Sequence, residues 1–267
     1  MYKNLNRFYW RLVALMGFVF WSISCVNSNG TSSPVKSDTT LLDSVSLSKS
    51  ISEVKIKETP LLVREDLMDV QELNDQILVD LKYTGTDNFT KIKLYNKITK
   101  AYLQKEVAAK LSKAQDLLSE IHAGYHLLVY DAIRPREVQY KMWNALDSIP
   151  VSKRINFVSN PKNGSIHNYG AAVDLTITDE QGKPLDMGAG YDDPRKIAYP
   201  IYEKKFLQTG ELLLEHVENR KLLRGIMKKA GFFEIPSEWW HFNACTRSYA
   251  KAHYKIVEKE EDIFIEK

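Results

Sequence analysis

The segment "GSIHNYGAAVDLTI", Gly164 to Ile177, places His167 and Asp174 seven positions apart around Gly170, in a stretch that otherwise reads as buried strand. A carboxylate taken out of water needs a hydrogen-bonded partner, a cation or a metal. Further along, "SEWWHF" offers Glu238 and His241 together among bulky aromatics, again in a strand-like context. Two imidazoles and an aspartate bind zinc well. Three protein ligands leave a fourth tetrahedral position for water, and a separate carboxylate can take that water's proton. On this reading His167, Asp174 and His241 are metal ligands and Glu238 is the base. Taken singly, each residue also fits a structural role: a hydrogen-bonded strand histidine, a turn-capping aspartate, a solvated glutamate. Arg134, in "YDAIRP", can likewise be an ordinary ion-pair partner. His122 and His126 flank Gly124, while His216 and His253 lie among charges, and all four read as surface residues.

The elements that must position these groups can be read from periodicity. Alternation in "AAVDLTI" puts Val173, Leu175 and Ile177 on one face and Ala172, Asp174 and Thr176 on the other. The apolar face is the core face, so Asp174 looks into a cleft, and Gly170 permits a turn that folds His167 back toward it. "LNDQILVDLKYTGTDNFT" predicts a strand or extended segment ending in turn residues, and Val107, Leu111, Ala114, Leu118 and Ile121 predict a helix stopped by Gly124. "YHLLVYDAI" predicts a strand, Pro135 opens a helix with Val138, Met142 and Ala145 on one face, and Arg134 sits at the junction. "INFVSN" predicts a further strand and "EQGKPLDMGAGYDDP" a loop. Leu223, Ile226, Met227 and Ala230 predict a helix closed by Gly231, and "GFFEIPSEWWHFN" a hairpin. Helices come early and strands mostly late, which predicts an α+β single domain with helices packed on a mainly antiparallel sheet.

The ends set the compartment. "MYKNLNRFYWRLVALMGFVFWSISC" has a basic start at Lys3, Arg7 and Arg11, an apolar run from Leu12 to Trp21, and small residues leading to Cys25. That is a secretory signal over 1–24, and "SISC" resembles a bacterial lipoprotein signal in which the cysteine carries lipid. Residues 25–58 are rich in Ser, Thr, Asn and Lys and read as a flexible tether, with the folded domain at 59–267. The chain has 267 residues, 44% hydrophobic and 27% charged, enough for one sizeable core. Its 37 basic residues exceed its 34 acidic ones only through the three in the signal, so the mature protein is near neutral. Nucleic acid is excluded as a partner on that ground, and membrane attachment comes through the lipid anchor. With Cys25 lipidated, Cys245 alone cannot form an internal disulfide, and it reads as a small core residue.

The ordered segments "TDNFT", "YDAIRP", "SIHNYGAAVDLTI", "MGAGYDD" and "EWWH", spread from Leu67 to Phe242, resemble the D-alanyl-D-alanine dipeptidases of the VanX type. These are zinc peptidases that share a core with D,D-carboxypeptidases and the Hedgehog signalling domain. The resemblance implies one zinc per chain on His167, Asp174 and His241, with Glu238 as general base and acid and Arg134 stabilising the tetrahedral transition state. It further implies that Asp192 holds the substrate's ammonium and that Ser165 lies close to the bound dipeptide. Asn168 and Tyr169 depart from the family pattern, as does Lys91 after "DNFT" where glycine is usual. The activity implied is hydrolysis of D-Ala-D-Ala, and the signal segment with Cys25 adds the expectation of an exported, lipid-anchored enzyme facing the periplasm or exterior, in cell-wall turnover or salvage. A D,D-carboxypeptidase acting on wall stem peptides and a non-catalytic zinc-containing wall-binding lipoprotein are the alternatives.

Overall fold

The structure is a computed structural model that describes residues 62–265. The signal sequence, the tether and Cys25 lie outside the described residues. In chain order come β1 (Leu62–Val63), β2 (Leu67–Asp69), α1 (Val70–Leu73), β3 (Leu78–Val79), β4 (Tyr102–Gln104), α2 (Lys105–Ile121) and β5 (His126–Asp131). Then follow α3 (Arg136–Ala145), α4 (Val151–Arg154), β6 (Ala172–Thr178), α5 (Glu203–Thr209) and α6 (Leu214–Ala230). The remainder is β7 (Phe233–Ile235), β8 (Glu238–Asn243), α7 (Arg247–His253) and β9 (Phe264–Ile265).

Five strands form one sheet in the order β3-β5-β6-β8-β7, in which only the β3/β5 pairing is parallel. The mainly antiparallel α+β expectation therefore holds. Val173, Leu175 and Ile177 of β6 are fully buried, as the alternation requires, and each such side chain contributes roughly 1.5–3 kcal/mol. α2 packs against β5 and α6. Of the predicted periodic face, Val107, Leu111, Ala114 and Leu118 are buried, with Ala108 and Gln115 beside them, while Ile121 in the last turn is 49% exposed. α6 ends at Gly231, whose left-handed backbone at φ 95° lets its N–H reach back to the carbonyls of Met227 and Lys228.

Three expectations are corrected. "INFVSN" forms no strand: Pro150 opens the helical turn α4, with Lys153 N–H donating to the Pro150 carbonyl at 2.8 Å. Ile155 and Phe157 are left 56% and 37% exposed outside the sheet. Helices and strands are interleaved along the chain, because β6 and β8 are neighbours joined by the whole stretch 179–237, which includes α5 and α6. On α3 it is Trp143, with Val138 and Met142, that is buried, while Ala145 is exposed.

Two local departures from ideal geometry aim side chains at a common point. A bulge in β5 between Val129 and Asp131 sets Asp131 directly opposite Asp174. Without it, Asp131 would follow Val129 onto the core face. Gly170 takes a left-handed conformation, φ 65°, where an added Cβ would lie 3.3 Å from the backbone nitrogen of Gln104 and from Ile133 Cδ1. Gly170→Ala is expected to destabilise the protein by about 1–2 kcal/mol in urea unfolding and to weaken zinc binding, since the turn carrying His167 must shift. Unchanged stability and affinity would mean that this turn does not depend on glycine.

Candidate metal centre

His167 lies in a short 3₁₀ turn, Ile166–Tyr169, tied at both ends. Ser165 Oγ accepts from the His167 N–H at 3.4 Å, and Asn168 Oδ1 accepts from the Ser165 N–H at 2.6 Å. Asn168 Nδ2 donates to the Arg134 carbonyl at 2.6 Å, and the Arg134 N–H to the His167 carbonyl at 3.1 Å. The turn is thus stitched to the β5–α3 junction, and Asn168 does the stitching. Asp174 and His241 are directly opposite in the β6/β8 ladder, so their side chains leave the sheet on the same side.

Three donor atoms converge here. His241 Nδ1 is 2.9 Å from Asp174 Oδ1, His167 Nε2 is 3.2 Å from the same oxygen, and the two imidazole nitrogens are 3.1 Å apart. The other ring nitrogens fix what these atoms carry. His167 Nδ1 faces the Ala132 carbonyl at 2.7 Å, which can only accept, so Nδ1 holds the proton and Nε2 a lone pair. His241 Nε2 faces Asn243 Oδ1 at 3.0 Å, which leaves the lone pair on Nδ1 in the same way. Three lone pairs in a buried pocket repel one another unless a cation lies among them. Burial pushes the Asp174 carboxyl up, yet the His167 and His241 imidazoles outweigh it and hold the carboxyl well below the usual range. Desolvation lowers the His241 imidazole, and Asp174 more than restores it. Both shifts arise where a protonated imidazole faces Asp174, so the carboxylate draws positive charge, and with the lone pairs turned inward a cation has to supply it. A divalent ion on two imidazoles and a carboxylate supplies it, so the residues present fit zinc.

Around this triad stand the other predicted residues. Arg134 is buried, with Nε donating to Asp131 Oδ2 at 2.7 Å, Nη1 to Gln139 Oε1 at 3.2 Å and Nη2 to Asp174 Oδ2 at 3.3 Å. Asp131 also accepts from Tyr95 Oη at 2.6 Å. Burial would discharge the guanidinium, but the Asp131 carboxylate keeps it charged. Glu238, at the start of β8, brings Oε2 to 3.9 Å from His241 Nδ1 and makes no hydrogen bond to the described residues. Burial raises its carboxyl above the ordinary value, as a proton-accepting and proton-returning group requires. Asp192 accepts from Tyr83 Oη at 3.1 Å and from the Phe89 N–H at 3.4 Å, and burial together with the charge of Asp174 pushes its carboxyl up to about 7. Its backbone is left-handed, φ 60°, uncommon for a residue with a side chain. Its neighbour Asp193 is occupied by Arg195 at 2.5 Å. Arg134, Ser165, His167, Asp174, Asp192, Glu238 and His241 all line one cavity of about 510 Å³.

The loop bearing Tyr191 and Asp192 is held from beneath. Fully buried Arg220 donates from Nε to the Met187 carbonyl at 2.7 Å and from Nη2 to the Ile197 carbonyl at 3.1 Å. Tyr191 Oη in turn donates to Asp174 Oδ2 at 3.1 Å.

Sequence reasoning missed Asp131, Asn243, Tyr83 and Tyr191 as members of the site. Asp131 had a signal, three residues before Arg134, and so did Asn243, two residues after His241 on the same strand face. The tyrosines had none, since loops bring them in. Of the other histidines, His122 and His253 are exposed as expected. His126 and His216 are half-buried, bonded to the Gln76 carbonyl at 2.8 Å and the Leu213 N–H at 3.1 Å. Cys245 is half-buried, not a core residue, because it follows the end of β8, and burial pushes its thiol up, away from nucleophilic use.

A family model described as D-ala-D-ala dipeptidase matches residues 64–259. A D-alanyl-D-alanine dipeptidase of Escherichia coli (strain K12) is 33% identical over 177 residues, which is 66% of this chain and 83% of that protein. One from a Synechocystis strain is 30% identical over 168 residues, covering 53% and 68%, and one from Enterococcus faecium 28% over 197 residues, covering 67% and 92%.

The hydrogen bond to Asn243 orients a proposed ligand. Asn243→Ala is expected to lower zinc affinity by about 10- to 100-fold in competition with a chelator. An unchanged affinity would remove Asn243 from that role.

Proposed function

The chain belongs to the D-ala-D-ala dipeptidase family, and on that footing we propose that it is a zinc-dependent dipeptidase that hydrolyses D-Ala-D-Ala to free D-alanine. The carrying observation is the meeting of three buried lone pairs, a guanidinium and an unbonded carboxylate in one cavity. A wall-binding protein would need the ligands alone.

His167, Asp174 and His241 hold the zinc, which when bound acidifies water and polarises a carbonyl. Glu238 takes a proton from the attacking water and returns it to the leaving amine as the peptide bond breaks. Its raised carboxyl suits both directions of transfer. Arg134, immobilised by Asp131 and Gln139, faces the oxygen on which negative charge builds and needs no rearrangement to do so. Asp192, with Tyr83 beside it, pairs with the substrate's ammonium, a group that only the first residue of a peptide carries. That restriction favours dipeptides over internal bonds of longer chains.

Zinc-loaded protein is expected to release free alanine from D-Ala-D-Ala, and not from L-Ala-L-Ala or a wall pentapeptide. Release from the pentapeptide but not the dipeptide would select a D,D-carboxypeptidase. Glu238→Gln should keep its zinc while kcat falls about 10²–10⁴-fold. An undiminished rate would end the assignment of Glu238.

The same reading extends to location. The secretory signal and Cys25 support an exported, lipid-anchored enzyme that digests dipeptides released from cell wall outside the cytoplasm. Radiolabelled fatty acid should enter the wild-type protein and not Cys25→Ala. Equal labelling, or unprocessed protein in the cytosol, would reverse this reading.

A further inference from the structure

Two guanidinium groups line the cavity among the described residues, and they differ in what occupies them. Arg134 is held by Asp131, Gln139 and Asp174. Arg247, the first residue of α7, donates only from Nη1, to the Gly164 carbonyl at 2.6 Å and the Asn163 carbonyl at 3.5 Å. Arg247 is exposed, its Nε and Nη2 have no partner and no carboxylate pairs with it among the described residues, although acids line the same cavity.

A chain of contacts through the metal ligands links it to Asp192. Asp192 meets Tyr83 at 3.1 Å, the Tyr83 and Tyr191 hydroxyl oxygens are 3.2 Å apart, and Tyr191 meets Asp174 at 3.1 Å. Asp174 is 3.2 Å from His167, whose N–H is capped by Ser165, and the residue before Ser165 is the one that anchors Arg247. The contacts run from the acid through the metal ligands to the segment that holds the cation, and both charged residues line the same cavity. A dipeptide is a zwitterion with one charge at each end and its scissile bond in the middle.

Building on the dipeptidase reading, we propose that Arg247 is a specificity-determining residue that binds the free terminal carboxylate of the substrate's second residue. The two carbonyls hold Nη1 beside Ser165, and Nε and Nη2, the side-on fork that a carboxylate accepts, are left unspent on an exposed residue that lines the cavity. Together with Asp192, this pairing sets substrate length at both ends. It excludes peptides that continue past the second residue, whose next carbonyl is neutral at the point where Arg247 waits for charge.

The test compares D-Ala-D-Ala with its C-terminal amide on zinc-loaded wild type, Arg247→Gln and Arg247→Lys. Arg247→Gln is expected to raise KM for the free acid about 10- to 100-fold. Its kcat, zinc content and thermal midpoint should stay near wild type. On the amide, Arg247→Gln and wild type should perform alike, and Arg247→Lys should recover part of the loss on the acid. Calorimetric Kd for a non-hydrolysable phosphinate dipeptide should weaken by a similar factor. An unchanged KM and Kd, or an equal loss on acid and amide, would overturn the role of Arg247 while leaving the dipeptidase standing. A wild type that cleaves neither compound would overturn both.

Discussion

A buried carboxylate with no proton to share is the constraint from which the rest of this architecture follows. Asp174 sits on a central strand whose both faces are covered, within 3.2 Å of two imidazole lone pairs. Isolated burial of that charge would be prohibitive, and its neighbours answer it from two sides. On one side lies the space for a divalent cation. On the other is Arg134, itself balanced by Asp131 and, through Asp131, by the Tyr95 hydroxyl. The three inward lone pairs are answered only by a cation, and removing Arg134 or Asp131 would strand a buried charge at a cost of about 3–5 kcal/mol.

That electrostatic demand explains the local irregularities. The bulge in β5 turns Asp131 away from the apolar face and places it opposite Asp174. The left-handed Gly170 returns the chain sharply enough for His167 to meet a residue seven positions on. Asp192 carries an unfavourable backbone so that its carboxylate faces the cavity, and Arg220 clamps the loop that bears it. The left-handed backbone at Asp192 costs on the order of 1–3 kcal/mol, and the apolar packing of α2, α6 and the sheet face of Val173, Leu175 and Ile177 offsets it. Rigid strands hold His241, Asp174 and Glu238, whereas the groups that meet the ends of a substrate come from loops and a helix start.

Much of this was legible in the chain. Period-two alternation fixed which residues of β6 are core, period-3.6 recurrence located α2 and α6, and Gly231 marked the end of α6. The residues that converge, His167, Asp174 and His241 with Glu238 nearby, were also legible, because histidine, aspartate and glutamate in apolar strands are costly residues that need a chemical reason. "INFVSN" misled, since short apolar runs suit a strand, a helical turn or a cavity wall equally well, and Pro150 decided for the turn. The interleaving of helices and strands was lost for a related reason: local pattern does not reveal which strands are neighbours.

Residue type and spacing by themselves determined the kind of chemistry, because hydration cost and ligand preference belong to single side chains. Tertiary structure alone decided the pairing of Asp174 with His241, the tautomers set by Ala132 and Asn243, the entry of Tyr83 and Tyr191, and the unspent donors of Arg247. Those are relations between groups far apart in sequence, fixed by strand register and loop closure, and no local propensity encodes them.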